Sequence, residues 1–246
     1  MIYVTGDTHT DWERRLSNRA FPEQKEEGMT KEDYVVILGD FGIWDGSQGE
    51  QKRLDWLEER PFTTLFVDGN HENYDILDAY PVSEWHGGKV QKIRPSVIHL
   101  MRGQVYDIDG FKIFSFGGAA SHDIRDGILE KGDPRIKEYR REFKMFRVNH
   151  VSWWEREMPN EEEMQEGLDN LEKAGNEVDF VFSHCGPISV VAHYSNGLYK
   201  ADKLTQYFEE VRANIQYKRW FFGHYHDDKA VTDKDILLFE QIVRMA

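Results

Sequence analysis

Apolar runs of strand length recur along the chain and break off in the same way: MIYVTGDTH, YVVILGDFG, TLFVDGNHE, FVFSHCGP and RWFFGHYH. Each passes from β-branched or aromatic residues directly into a polar turn containing Gly. Between them lie stretches of helical character: DWERRLSNRAF, GEQKRLDWLEER, ENYDILDAY, NEEEMQEGLDNLEKAG and KADKLTQYFEEVRANI. Strand, polar turn and helix in alternation predict an α/β domain. The closing residues, KAVTDKDILLFEQIV, read as a hairpin of antiparallel strands.

The middle of the chain follows a different pattern. From about Val90 to Phe116 the short pieces KVQKI, SVIHLM, QVYDI and FKIFSF predict a second antiparallel or mixed sheet. GGAASHDIRDG then reads as a loop, and DPRIKEYRREFKMFRVNH with VSWWEREMPNEEEM as a charged helical insertion. No repeat or low-complexity linker divides the chain. The expectation is one domain over residues 1–246, with an insertion or lid at about 117–175.

Composition narrows the setting. A chain of 246 residues can bury a substantial core. Its single cysteine, Cys185, forbids a disulfide framework and points to a reducing compartment or to indifference about redox state. There is no basic n-region at the start and no run of membrane-spanning length, so a cytoplasmic protein without a membrane partner is expected. The 45 acidic and 31 basic residues leave a net charge of -14, which argues against long nucleic acid as a partner. Bound divalent cations would make a local site positive where the bulk count is not.

The candidate chemistry lies in the turns. In an open α/β sheet, ligands collect where the carboxyl ends of strands open into loops. The five turns carry Asp7, His9, Asp40, Asn70, His71, His184, His224 and His226, so that five of the ten histidines fall in turns of one kind. Any one of them has an ordinary reading as a turn former. Five turns together call for a metal site, which imidazoles and carboxylates suit.

GDTH at Gly6 to His9, GD at Gly39-Asp40, GNHE at Gly69 to Glu72, SH at Ser183-His184 and GHYH at Gly223 to His226 stand in the order of the calcineurin-like metallophosphoesterases, which this chain resembles. The resemblance implies a four-layer αββα sandwich of two mixed sheets, with the metal site at the strand-end loops. It also implies two divalent transition-metal ions, Mn first, with Fe, Zn, Ni or Co as alternatives. Asp7, His9 and His226 match the ligands of the first, Asn70, His184 and His224 those of the second, and Asp40 bridges both. The implied activity is hydrolysis of a phosphodiester or phosphomonoester by a metal-bridging hydroxide, with His71 as general acid. A small phosphoester such as a nucleotide is the implied substrate.

Departures from the pattern matter. Phosphoprotein phosphatases of this superfamily carry GDxVDRG, whereas this chain has GDFGIWDG, with Ile43 at the position of the second Asp; Asp45 is the candidate substitute. Their Arg before GNH is Asp68, and their HGG is SHCGP. A protein phosphatase and a catalytically weak metal-binding scaffold stand as alternatives. Among weaker candidates for substrate contact are Asn70, His122 and Arg125: Gly117 and Gly118 would let their loop approach the cleft, bringing His122 or Arg125 to substrate phosphate, though the same loop also reads as an ordinary solvated turn. Cys185 and the pair Trp153-Trp154 read as packing residues. His150 and His193 are candidates for the cleft wall, and His86 and His99 have no evident role.

Overall fold

The computed structural model describes residues 1–42 and 45–245, so the expectation at Ile43 lies outside the described residues. Fifteen strands are described: β1 (Ile2–Thr5), β2 (Tyr34–Leu38), β3 (Thr63–Val67), β4 (Val82–Trp85), β5 (Gly88–Arg94), β6 (Val97–Leu100), β7 (Gln104–Ile108), β8 (Phe111–Phe116), β9 (Ile128–Leu129), β10 (Arg147–Val148), β11 (Phe180–Ser183), β12 (Arg219–Phe222), β13 (Lys229–Ala230), β14 (Asp235–Leu237) and β15 (Ile242–Arg244). They form a first sheet in the order β15-β1-β2-β3-β6-β5-β4, a second in the order β13-β14-β12-β11-β8-β7, and the small pair β10-β9. Both large sheets are mixed: β1, β2 and β3 are mutually parallel, as are β8, β11 and β12.

The alternation of side chains along these strands explains the layering. Ile2, Val4, Val36, Leu38, Leu65 and Val67 of the first sheet meet Ile113, Phe180, Phe182 and Phe221 of the second in one core between the sheets. The intervening residues face outward under helices. Tyr3, Val35, Ile37 and Phe66 pack with Trp12, Leu54 and Leu57 on one side, and Phe114, Phe116, Val181, Trp220 and Phe222 pack with Leu171, Val191, Leu204 and Phe208 on the other. Strands covered on both faces read as continuous apolar runs, which is how they appear in the sequence. The result is the expected αββα sandwich.

Three local expectations need correction. The strands between Val90 and Phe116 do not make a sheet of their own: β5 and β6 extend the edge of the first sheet, and β7 and β8 that of the second. The C-terminal stretch is not a simple hairpin, because β13 and β14 pair antiparallel while β15 crosses over to lie beside β1. Within residues 117–175 the long helix Glu161–Lys173 is as expected, capped by Asn160 and burying Met164 and Leu171. The stretch before it is mostly turns, with a short helix Ile136–Arg141 and the small β9-β10 pair.

Candidate metal centre

Asp7, Asp40 and Asn70 leave the ends of β1, β2 and β3, and His184 and His224 those of β11 and β12. Parallel pairing sends each sheet's turns to one end. The first sheet therefore presents two carboxylates and an amide, the second presents three imidazoles counting His226, and His9 completes the set.

Close approach of these turns depends on the absence of side chains. A Cβ on Gly39 would lie 2.1 Å from His184 Nδ1, one on Gly69 2.1 Å from Asp40 Oδ1, and one on Gly223 2.1 Å from Asp7 Oδ1. Each glycine thus accommodates a proposed ligand from another turn. The backbone bends sharply here as well: His9, Asp40, His224 and His226 have φ of 45°, 43°, 70° and 50°, a region costly for side chains larger than Gly.

Ligating atoms of Asp7, His9, Asp40 and His226 all lie within 4.8 Å of one another. His9 Nε2 is 3.1 Å from His226 Nε2, and His226 Nε2 is 3.1 Å from Asp7 Oδ2. Asp7 also accepts the backbone N–H of His224 at 2.9 Å, which ties its carboxylate to the turn after β12. This is the group expected at the first ion.

Around His184 further donor atoms converge beside this group. His184 Nδ1 lies 2.7 Å from the Leu38 carbonyl, an acceptor, so Nδ1 carries the proton and Nε2 of the neutral ring is a lone pair. That nitrogen lies 3.2 Å from Asn70 Oδ1 and 3.3 Å from Asp40 Oδ1. A proton on that nitrogen or a cation between the three atoms would satisfy this convergence, and the donor types are those a divalent transition metal takes. In the ion-free chain a proton on His184 takes that place: burial opposes it, but Asp40 and Asp7 push the His184 pKa up to about 10. Burial alone would raise the Asp40 carboxyl, yet His184, His71 and His9 hold it well below the ordinary carboxylate range. Burial, with His184 and His122 beside it, keeps the His224 ring neutral.

The structure brings all seven sequence-selected ligands and His71 into this end of the sandwich. His71 donates its backbone N–H to Asp40 Oδ1 at 2.8 Å, its ring 5.4 Å from that of His9. Burial holds its pKa down against the pull of Asp40, and Arg147 adds to that depression. His122 reaches the cluster, its Nε2 2.9 Å from His224 Nε2, whereas Arg125 is exposed on the same loop. Asp45 is a turn residue that accepts the Ser47 N–H at 2.7 Å. His150 pairs with Asp75 at 2.9 Å, and His193 is exposed. Cys185 and Trp154 are buried in the two helix-covered cores, as expected.

Several participants were not legible. Glu72 accepts the N–H groups of Phe41 at 2.7 Å and Gly42 at 2.9 Å, joining the turns after β2 and β3; burial, with Asp40 nearby, pushes its carboxyl up to about 7. Asp68, buried behind Asn70, holds Arg102 at 2.6 Å and His99 at 3.1 Å. Gly117 leaves room for this pair, since a Cβ there would lie 2.2 Å from Asp68 Oδ1. Ser121 and Glu157 lie behind Asn70, and Arg147 is bound by Asp123 with Nε 2.9 Å from Oδ1. The departure at Asp68 gives a signal for its own pairing, but the others are separated from their partners by tens of residues.

A family model for calcineurin-like phosphoesterases matches residues 1–228. The chain belongs to the calcineurin-like phosphoesterase family. Among curated proteins it is similar to lariat debranching enzyme A of Xenopus laevis, 24% identical over 254 residues that cover 92% of this chain and 42% of that protein. The chain thus spans less than half of this relative's length. Among solved structures, a phosphopantetheinyl hydrolase of Mycobacterium tuberculosis aligns with a TM-score of 0.42 and 14% identity, covering 97% of this chain and 87% of that one. Membership supports metal-dependent phosphoester hydrolysis in general. No helix among the described residues is long and apolar enough to cross a membrane.

Proposed function

We propose that the chain hydrolyses a small phosphoester at a two-ion centre, with His71 donating the proton to the leaving group. The observation that carries this reading is the convergence of seven donor side chains from five strand-end turns around two adjacent positions. Asp7, His9 and His226 would hold one ion, Asn70, His184 and His224 the other, and Asp40 both. When bound, such a pair clamps a phosphoryl oxygen and lowers the pKa of an attacking water. His71 is fixed through its backbone to Asp40, and an anionic ester beside the ring favours the protonated form that a general acid needs.

The surroundings favour a monoanionic diester over a dianionic monoester. Arg102 is buried and committed to Asp68, and Arg147 is bound by Asp123, so neither offers an unpaired guanidinium to a phosphate. This also weighs against the phosphoprotein phosphatase alternative, and the intact donor set weighs against a catalytically weak scaffold. The resemblance to a lariat debranching enzyme supports a phosphoester substrate, with a nucleotide as the small-molecule form to try first. The single cysteine suits a reducing compartment such as the cytoplasm. Residues 1–246 are proposed to act as one domain, with 117–175 as its insertion.

Purified protein stripped of metal and titrated with Mn²⁺ should take up about two ions per chain and cleave bis-p-nitrophenyl phosphate faster than p-nitrophenyl phosphate. Absence of ion uptake and of turnover with Mn, Fe, Zn, Ni and Co would overturn the reading.

A further inference from the structure

We infer that Glu157 and Ser121 act in series as positioning residues that turn the amide oxygen of Asn70 toward the second ion. The inference rests on the two-ion reading above. An asparagine offers two ends of nearly equal shape and opposite character. With Oδ1 facing His184 it is a ligand; flipped, it would present N–H groups to a cation. Something must break that degeneracy.

A buried relay does so. Asn70 Nδ2 donates to Ser121 Oγ at 3.2 Å, while Oδ1 lies 3.2 Å from His184 Nε2. Ser121 has one hydroxyl proton, which it gives to Glu157 Oε2 at 2.7 Å; its backbone N–H goes to Glu157 Oε1 at 2.9 Å. Above about pH 7, where Glu157 is ionised, its carboxylate only accepts, so the Ser121 hydrogen is committed and its oxygen can only accept from Asn70. Asn70, Ser121 and Glu157 are 4%, 7% and 3% exposed, so water does not compete for these bonds.

Glu157 is itself held to the turn it serves. Arg102, paired with Asp68 two residues before Asn70, donates Nη2 to the carbonyls of Arg156 at 2.8 Å and Glu157 at 3.3 Å. Gly118 allows this approach, since a Cβ there would lie 2.6 Å from the Glu157 carbonyl oxygen. The insertion therefore contributes to the metal site from behind, in addition to any role as a cover.

Calorimetric titration with Mn²⁺ at about pH 8, where Glu157 is ionised, tests the relay. Ser121→Ala should weaken binding of the second ion by roughly 10–100-fold and leave the first nearly unchanged, the usual cost of losing an outer partner of a ligand. Asn70→Asp removes the need for orientation, because either carboxylate oxygen can ligate. In that background Ser121→Ala should therefore cost little. Equal losses in the wild-type and Asn70→Asp backgrounds, or no loss in either, would overturn the relay. If wild type binds fewer than two ions, the two-ion reading fails and the relay with it. Should Ser121→Ala not fold, as judged by near-ultraviolet circular dichroism of the metal-free protein, Glu157→Gln interrupts the relay one bond further back. The same comparison then decides.

Discussion

Asp40 uses one oxygen, Oδ1, both to accept the backbone N–H of His71 at 2.8 Å and to face His184 Nε2 at 3.3 Å. Its other oxygen, Oδ2, lies 3.7 Å from His9 Nε2. A single buried carboxylate thus touches both proposed ion positions and the backbone of the proposed acid. Asp40→Asn should weaken both ions by at least about 10-fold, measured by calorimetry and metal analysis, because the amide retains only one ligating oxygen. Loss of one ion alone would show that Asp40 does not bridge.

His71 is expected to separate binding from turnover. His71→Ala should retain both ions while losing roughly 10²–10⁴ in kcat on a dinucleoside monophosphate, whose alkoxide leaving group needs a proton. On bis-p-nitrophenyl phosphate the loss should be much smaller, since nitrophenolate leaves without protonation. Equal losses on both esters would remove His71 from the acid role.

The contact between Gly223 and Asp7 leaves no room for a methyl group. In Gly223→Ala the new Cβ would lie 2.1 Å from Asp7 Oδ1 and 2.9 Å from the Leu38 carbonyl, so the turn must shift. Urea denaturation of the metal-free protein should register a loss of about 1–3 kcal/mol or more, and ion uptake should fall as well. A variant with wild-type stability and ion binding would contradict the close approach.

Glu157 should make stability depend on pH. Burial raises its carboxyl to about 7 from an ordinary value of 4.5, against the hydrogen bonds from Ser121. A raised folded-state pKa means that the native state binds the proton more tightly than the unfolded chain. Its stabilising contribution is full below about 4.5 and is lost as pH rises through about 7. Glu157→Gln, which does not titrate, should therefore gain in unfolding free energy relative to wild type between about pH 5 and pH 8, by at most on the order of 2–3 kcal/mol in urea denaturation. A gap that stays constant with pH would refute the shift.

Much of this was legible because the informative signals are local. The runs YVVILGD and TLFVDGNH contain both a doubly covered strand and the turn that ends it, so strand type and ligand position come from the same few residues. Sheet membership is not local: VIHL and QVYDI look alike as sequence, yet one pairs with β3 and the other with β8. The C-terminal hairpin is present as β13 and β14, but the strand that follows departs from it for the same reason, since the partner of Ile242 is Thr5, at the opposite end of the chain. Glu157 was invisible because its effect reaches Asn70 only through Ser121. Nothing in WEREMPNEEE distinguishes a buried glutamate from the solvated ones around it.

The reciprocal packing of Gly39 on His184 and Gly223 on Asp7 puts the proposed ion positions at the seam where the two sheets meet. Neither sheet carries a complete donor set by itself. Were ions held there as proposed, their affinity and the fastening of one sheet to the other would be a single thermodynamic quantity seen from two sides. On the two-ion reading, a chelator should act as a mechanical agent, loosening one end of the sandwich as it empties the site.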